Sequence, residues 1–385
     1  MKITIISSIL NHGSILQEIG TGLTVLCSMY EIEKINVVTW IKDSQEPLKL
    51  KENVSLNECF NPEHPTSIFQ TLKKVINDDA DIFIYNTMPT SYGTSILANF
   101  VGLTSPIIAK LIFHKKVIVI YHNSIYTNDF RALGYDGSLN FIKSIIIKKI
   151  EKLMFKTNVV YFLSNIYISR LHATNKNFKV RMLDLPYLQT IGTLMLNNML
   201  EMETIMHSPN KTPVILLFGN WGPQKDPENS LKVLKKLYDL GMKFKLIVAG
   251  DINIHFPSLN ERIKGLFQNY SDIIYKNLGK VKEKDLMDMY LNSDLIIIDY
   301  NVPGGFSSVL ASAMFFQKFI ISKQFIEFES QAENYEKIIF YKDNELENAL
   351  RKYIVHIHPN IVPEEINIQN KIDHMKRNIK SLLNI

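Results

Sequence analysis

Short apolar, β-branched runs alternate with longer helix-like segments along almost the whole chain, and this restricts the fold more than any other feature. Runs at 3–7, 35–40, 54–58, 81–86, 116–121 and 159–163 read as strands, with helical segments between them. The run at 116–121, Lys-Val-Ile-Val-Ile-Tyr, has no polar alternation, as expected of a strand buried on both faces. Strands that alternate with helices predict a mainly parallel sheet covered on both sides.

The pattern then stops and restarts. Residues 189–206 read as a Met-rich helical segment, and His207-Ser-Pro-Asn-Lys-Thr-Pro213 as a linker. Beyond it come strands at 213–219, 245–249, 273–275, 294–299, 318–322 and 337–341. Helices are expected at 227–240, 282–291, from 307, and at 345–353. The predicted organisation is an N-terminal Rossmann-like domain over 1–188, a linker over 189–212 and a C-terminal Rossmann-like domain over 213–363. The basic segment 364–385 reads as a helix that packs back on the first domain.

Two domains suit 385 residues, and 46% apolar content supplies real cores. The 43 Lys and Arg against 38 Asp and Glu leave the chain only mildly basic, which does not argue for nucleic acid. Cys27 and Cys59 lack metal-ligand spacing and are too few for a disulfide framework. The opening MKITIISSIL lacks the parts of a signal peptide, so a cytoplasmic protein is expected. Residues 95–113 imitate a membrane span, but Asn99, Pro106 and Lys110 interrupt them, and a buried helix is the expectation.

Open parallel sheets bind ligands at the C-terminal ends of their strands, and four such ends carry informative residues. Gly20 and Gly22 flank Thr21 and read as a loop before a helix, where backbone and helix N-terminus would meet an anion. His122 directly follows the strand 116–121, placed either to bond a sugar hydroxyl or handle a proton, or to tie down a neighbouring loop. Lys225 ends the turn Gly219-Asn-Trp-Gly-Pro-Gln-Lys225, suited to a diphosphate or to the solvated surface. In Gly304-Gly305-Phe306-Ser307-Ser308, glycines and N-cap serines precede an apolar helix, which makes either an anion site or an ordinary helix cap.

In this order, glycine loop, strand-end His, strand-Gly-turn-Lys and Gly-Gly-Phe-Ser before a helix, the sequence resembles the retaining glycosyltransferases of the GT-B fold, in particular family four, the group one glycosyl transferases. The likeness spans nearly the whole chain and is best over 215–251, 278–294 and 309–322. It implies two Rossmann-like doubly wound domains facing each other across a cleft. It also implies transfer of a sugar from a UDP- or GDP-linked donor to a glycan, lipid-linked glycan or glycoprotein, with no cofactor and no metal. Carried over, Gly20, Gly22 and Lys225 would meet the diphosphate, the Ser307 and Ser308 amides would cap it, and His122 would be the catalytic residue at the donor sugar.

The sequence departs from the family pattern at three places. The usual pair of glutamates, on the donor sugar and the ribose, is Gly304 and Ser312 here, and the usual basic residue after the second-domain glycine is Asn220. A non-catalytic binding protein of the same fold and a nucleotide-sugar epimerase are the alternatives. The helix expected at 142–156 is amphipathic and basic. Lys148, Lys149, Lys152 and Lys156 suit either peripheral contact with anionic lipid at the membrane inner face or a solvated surface. Among these lysines only Phe155 is aromatic, which falls short of the interleaving that nucleic-acid binding would require.

Overall fold

A computed structural model describes residues 1–7, 15–40, 50–61, 64–89, 91–92, 95–122, 124–126, 138–188, 190–191, 194, 203–252, 257–303 and 305–384. The chain divides into two units. The first takes Met1–Arg131, Tyr135–Met195 and Ile372–Ile385, and the second Leu196–Lys371.

In the first unit the strands are β1 (Lys2–Ile6), β2 (Lys34–Trp40), β3 (Val54–Phe60), β4 (Ile82–Thr87), β5 (Lys116–Tyr121), β6 (Val159–Phe162) and β7 (Val180–Met182). They form one sheet, ordered β3-β2-β1-β4-β5-β6-β7, and every pairing is parallel. The order reverses between β1 and β4, so their C-terminal ends flank a topological switch point. The helices are α1 (Ile15–Ser28), α2 (Ile68–Asn77), α3 (Ile96–Leu111), α4 (Ser138–Thr157) and α5 (Asn165–Thr174). Burial of β5 from Val117 to Tyr121 agrees with its unbroken apolar run.

The second unit repeats the plan with β9 (Val214–Phe218), β10 (Lys245–Ala249), β11 (Ile274–Asn277), β12 (Leu295–Ile298), β13 (Phe319–Lys323) and β14 (Ile338–Tyr341). Their order is β11-β10-β9-β12-β13-β14, again parallel throughout, with the switch point between β9 and β12. Its helices are α6 (Glu228–Asp239), α7 (Asn260–Asn269), α8 (Glu283–Leu291), α9 (Ser308–Phe315), α10 (Ile326–Gln331) and α11 (Leu346–Lys352). On α6 the buried residues Ser230, Leu231, Leu234 and Leu237 recur at helical spacing, and α6 packs on the sheet by that stripe.

Two expectations fail through pairing that is remote in sequence. Thr204–His207 is a strand, β8, and not the end of a helix. Glu364–Asn367 is a strand, β15, and the last helix, α12 (Ile368–Leu383), begins only after it. The two strands pair antiparallel, with Ile366 opposite Ile205. Neither is a convincing strand alone, because each satisfies its backbone only through the other.

The segment 95–113 is helical, as expected. The Ser95 hydroxyl caps α3 by accepting from Ala98 N–H at 3.3 Å. However, only part of α3 is buried, and Ile96, Leu97, Phe100, Leu111 and Ile112 are exposed. Among the described residues no helix is long and apolar enough to cross a membrane.

Candidate functional site

The ends of β9, β10 and β11 are tied edge to edge in the second unit. Gly219 N–H donates to Ala249 O at 3.2 Å, and Gly250 N–H donates to Gly279 O at 2.6 Å. Gly250 has φ 117°, and a Cβ there would lie 1.7 Å from Gly219 O. Only glycine permits that backbone angle and that approach together.

Past Gly219, Asn220 is exposed and Trp221 is buried. Trp221 N–H donates to Asp251 O at 2.7 Å. The turn closes with Lys225 N–H donating to Gly222 O at 3.0 Å. It is anchored to the loop after β12, where Asn301 N–H and Nδ2 donate to Gln224 O and Pro223 O, each at 2.9 Å. The Lys225 ammonium sits 4.7 Å from the centroid of the Tyr300 ring, a cation–π contact. This half-buried lysine is therefore held at the rim of the switch point.

Asp299, at the end of β12, is a charge the sequence reading passed over. Its carboxylate accepts from Tyr341 OH at 2.5 Å, Asn229 Nδ2 at 2.8 Å and Ser230 Oγ at 2.9 Å. Those donors join the start of α6 and the end of β14 to β12. The neighbouring carboxylate raises the Tyr341 phenol, after the larger effect of burial.

Gly304 lies outside the described residues. Gly305 is buried with φ 101°, and Phe306 is half-buried. Ser307 is the N-cap of α9, its hydroxyl accepting from Leu310 N–H at 3.3 Å. Ser308 and Ser312 are half-buried on α9, whose remaining face, including Leu310, Ala313 and Phe315, packs into the core. The Ser307 amide, expected to cap a diphosphate, instead donates to Gln331 Oε1 at 2.9 Å, and Gln331 Nε2 donates back to Ser307 O at 2.9 Å. Gln331 on α10 gave no sequence cue, since nothing in its neighbourhood marks it as facing this loop.

In the first unit, His122 follows β5 at the strand end, as expected. It is 5% exposed, and burial lowers its pKa to about 3. Its Nε2 lies 2.5 Å from Asn86 Oδ1, while Asn86 Nδ2 donates to Ser7 Oγ at 2.7 Å. That places the imidazole proton on Nε2. Ser7, Asn86 and His122 thus bridge the ends of β1, β4 and β5 across the switch point. The loop beyond is held by Glu151 of α4, which is fully buried. Its carboxylate accepts from Tyr121 OH at 2.9 Å, Ser124 Oγ at 2.7 Å and Ile125 N–H at 3.1 Å. Burial raises Glu151 to about 7, and these donors oppose the rise.

Gly20 and Gly22 are not in a loop. Both are buried inside α1, where Gly20 O accepts from Thr24 Oγ1 at 2.8 Å. A Cβ on Gly22 would lie 1.8 Å from Leu188 O. The glycine serves close approach of the helix to the 188 backbone, and its place within the helix removes the ground for a diphosphate loop here.

Residues 201–358 match the family model described as glycosyl transferases group 1. The second unit is a group 1 glycosyltransferase domain. No curated protein sequence matches the chain. Among solved structures, the chain is similar to HepE of Anabaena, determined with UDP and glucose, at TM-score 0.68 and 12% identity, covering 100% of this chain and 99% of that one. It is similar to sucrose-phosphate synthase from Thermosynechococcus elongatus at TM-score 0.65 and 14% identity, covering 100% and 98%. UDP-GlcNAc 2-epimerase from Methanocaldococcus jannaschii gives TM-score 0.57 and 12% identity over 100% of both chains. At such identities these likenesses establish the fold: two Rossmann-like halves of the GT-B type, as the sequence implied. In the group 1 domain the strand-end residues Asn220, Lys225 and Tyr300 and the cap of α9 all belong to loops that leave the C-terminal side of one sheet.

Proposed function

We propose that the protein moves a sugar from a nucleotide-sugar donor to a hydroxyl of a glycan, lipid-linked glycan or glycoprotein, without a metal and with retention of configuration. The reading rests chiefly on Lys225, a cation held at the switch point of a group 1 glycosyltransferase domain. UDP in the HepE structure supports a nucleoside diphosphate as the class of ligand. The Lys225 ammonium and the N-terminus of α9 supply positive charge where a diphosphate would leave. In the proposed step the bond from the anomeric carbon to the phosphate oxygen breaks, and the acceptor oxygen bonds to that carbon on the same face. The acceptor proton passes to the departing phosphate. His122, neutral and donating from Nε2 to Asn86, can act at the sugar only as a hydrogen-bond acceptor through Nδ1 and carries no charge.

The occupied Ser307 amide, with Gly304 and Ser312 in place of carboxylates, favours a second reading, a binding protein of the same fold without transfer. Thermal unfolding with UDP, GDP, ADP, dTDP and CDP, with and without magnesium, tests both. A ligand at about 100 times its Kd stabilises by about 2.7 kcal/mol. A shift with one nucleotide, independent of magnesium and lost in Lys225→Ala, supports the donor site, and acceptor-dependent release of that nucleotide from its sugar then separates transfer from binding. Conversion of the nucleotide sugar to its epimer without an acceptor identifies an epimerase, whereas no shift with any nucleotide overturns the donor reading.

A further inference from the structure

Charge is distributed unevenly along this chain. Residues 95–182 hold 13 Lys and Arg against three acids, Asp129, Asp136 and Glu151, while the whole chain has 43 against 38. The rest of the protein is therefore net acidic, and the basic character belongs to the part of the first unit that contains α3 and α4. On α4 the exposed residues from 145 onward are Ile145, Lys148, Lys149, Lys152, Leu153 and Lys156, spaced as one helical face. Glu151, the acid of that helix, is turned inward to Tyr121, Ser124 and Ile125, so it does not neutralise the face.

The neighbouring helix supplies the complement. α3 packs on α4, and it leaves Ile96, Leu97, Phe100 and Leu111 exposed, with Ile112 and Phe113 just beyond its end. Phe100 is 47% and Ile112 63% exposed. The helix contains no acid, and Lys110 is its one charged residue. The exposed side chains form two apolar groups, Ile96, Leu97 and Phe100 at the start of α3 and Leu111, Ile112 and Phe113 at its end, with residues 101–110 between them buried or half-buried. Clustered apolar exposure of this kind marks interaction surfaces.

Exposed apolar groups on α3 and a lysine face on the helix packed against it select among partners. A nucleic-acid backbone would satisfy the lysines but has nothing for Ile96, Leu97, Leu111 and Ile112. A second copy packed by this surface about a twofold axis would set lysine face near lysine face. A bilayer with anionic headgroups satisfies both, because acyl chains take the apolar side chains and headgroups take the ammonium groups. We propose that the first unit lies on anionic lipid bilayers, with the exposed apolar residues at the two ends of α3 at the acyl boundary and the lysines of α4 on the headgroups. The inference rests on first-unit residues alone and stands apart from the transfer reaction.

Co-sedimentation with vesicles of phosphatidylcholine, and of phosphatidylcholine mixed equally with phosphatidylglycerol, tests it. Binding is expected to the mixed vesicles only, weakening as salt rises. Each lysine contributes roughly fivefold in affinity, so Lys148→Glu with Lys152→Glu should lower binding more than tenfold. Leu97→Ser with Phe100→Ser should remove the part of binding that survives salt. All four side chains are solvent-facing, and unchanged thermal unfolding would establish that the variants fold. Equal binding to both vesicle types, no binding to either, or binding unaffected by both variants would overturn the proposal. So would a stable solution dimer abolished by Phe100→Ser, or a preference for RNA over the mixed vesicles.

Discussion

The side-chain amide of Gln331 grips the backbone of Ser307 through both its groups, accepting from the Ser307 N–H and donating to the Ser307 carbonyl, each at 2.9 Å. This clamp sets the entry to α9, where the serine hydroxyl already caps Leu310 N–H. Gln331→Ala should loosen the backbone at 305–308 and weaken binding of the nucleotide that gives the largest thermal shift, by about 1–2 kcal/mol. Gln331→Glu should weaken it further, since it loses the Nε2 donor and adds negative charge near an anion. Titration calorimetry decides. Tighter binding in Gln331→Ala would mean that the nucleotide itself uses the Ser307 N–H, with Gln331 as its competitor.

Lys225→Ala should cost about 1.5–3 kcal/mol of nucleotide affinity, as expected for a hydrogen bond to a charged group. Its effect on folding should stay within about 1 kcal/mol, the scale of the lost contact with Tyr300. A denaturant titration beside a binding titration separates the two. Equal losses in both would reassign Lys225 to the fold.

Gly22→Ala bears on whether α1 touches Leu188 or a ligand. The added methyl would meet Leu188 O, so the first unit should lose about 1–3 kcal/mol, as in other overpacked cores. Nucleotide affinity of the folded protein should not change. A stable Gly22→Ala variant with weakened nucleotide binding would return this glycine to the donor site.

His122 is held neutral, with a folded pKa near 3 against an ordinary value of 6.5. The unfolded chain therefore binds the extra proton between those values. The stability this site contributes is complete above pH 6.5 and falls away as pH drops toward 3. His122→Asn should flatten that loss relative to the parent protein in denaturant titrations across the window. The same neutrality predicts that transfer, once measured, shows no inflection near pH 6.5 from this imidazole. A transfer rate that follows a group of pKa near 6.5 and loses that dependence in His122→Asn would contradict the burial described here.

Local pattern carried the fold a long way. Apolar runs such as 117–121 and that within 213–219 read as buried strands, and their alternation with helices implied two doubly wound halves. The strand-end position of His122 was legible for the same reason, since a residue that directly follows a buried strand lies at the rim of its sheet, and Lys225 was legible through the glycine turn that follows β9. Gly304, Gly305 and Ser307 announced a helix start through turn and cap chemistry, which is local.

What sequence could not reveal depends on partners far along the chain. Thr204–His207 and Glu364–Asn367 are strands only because each supplies the other's backbone hydrogen bonds across about 160 residues. Gly22 reads as a loop glycine until Leu188 is brought against it. Glu151 looks like a solvated acid on a basic helix, but burial turns it inward to hold the loop after His122, leaving the exposed face of α4 to its lysines. Gln331 gains its role through Ser307, 24 positions away. Periodicity and turn chemistry determine which elements form and where the sheets end, since they act over a few residues. Burial, pairing and the close approach of one backbone to another belong to the tertiary structure, because they depend on which distant segment arrives.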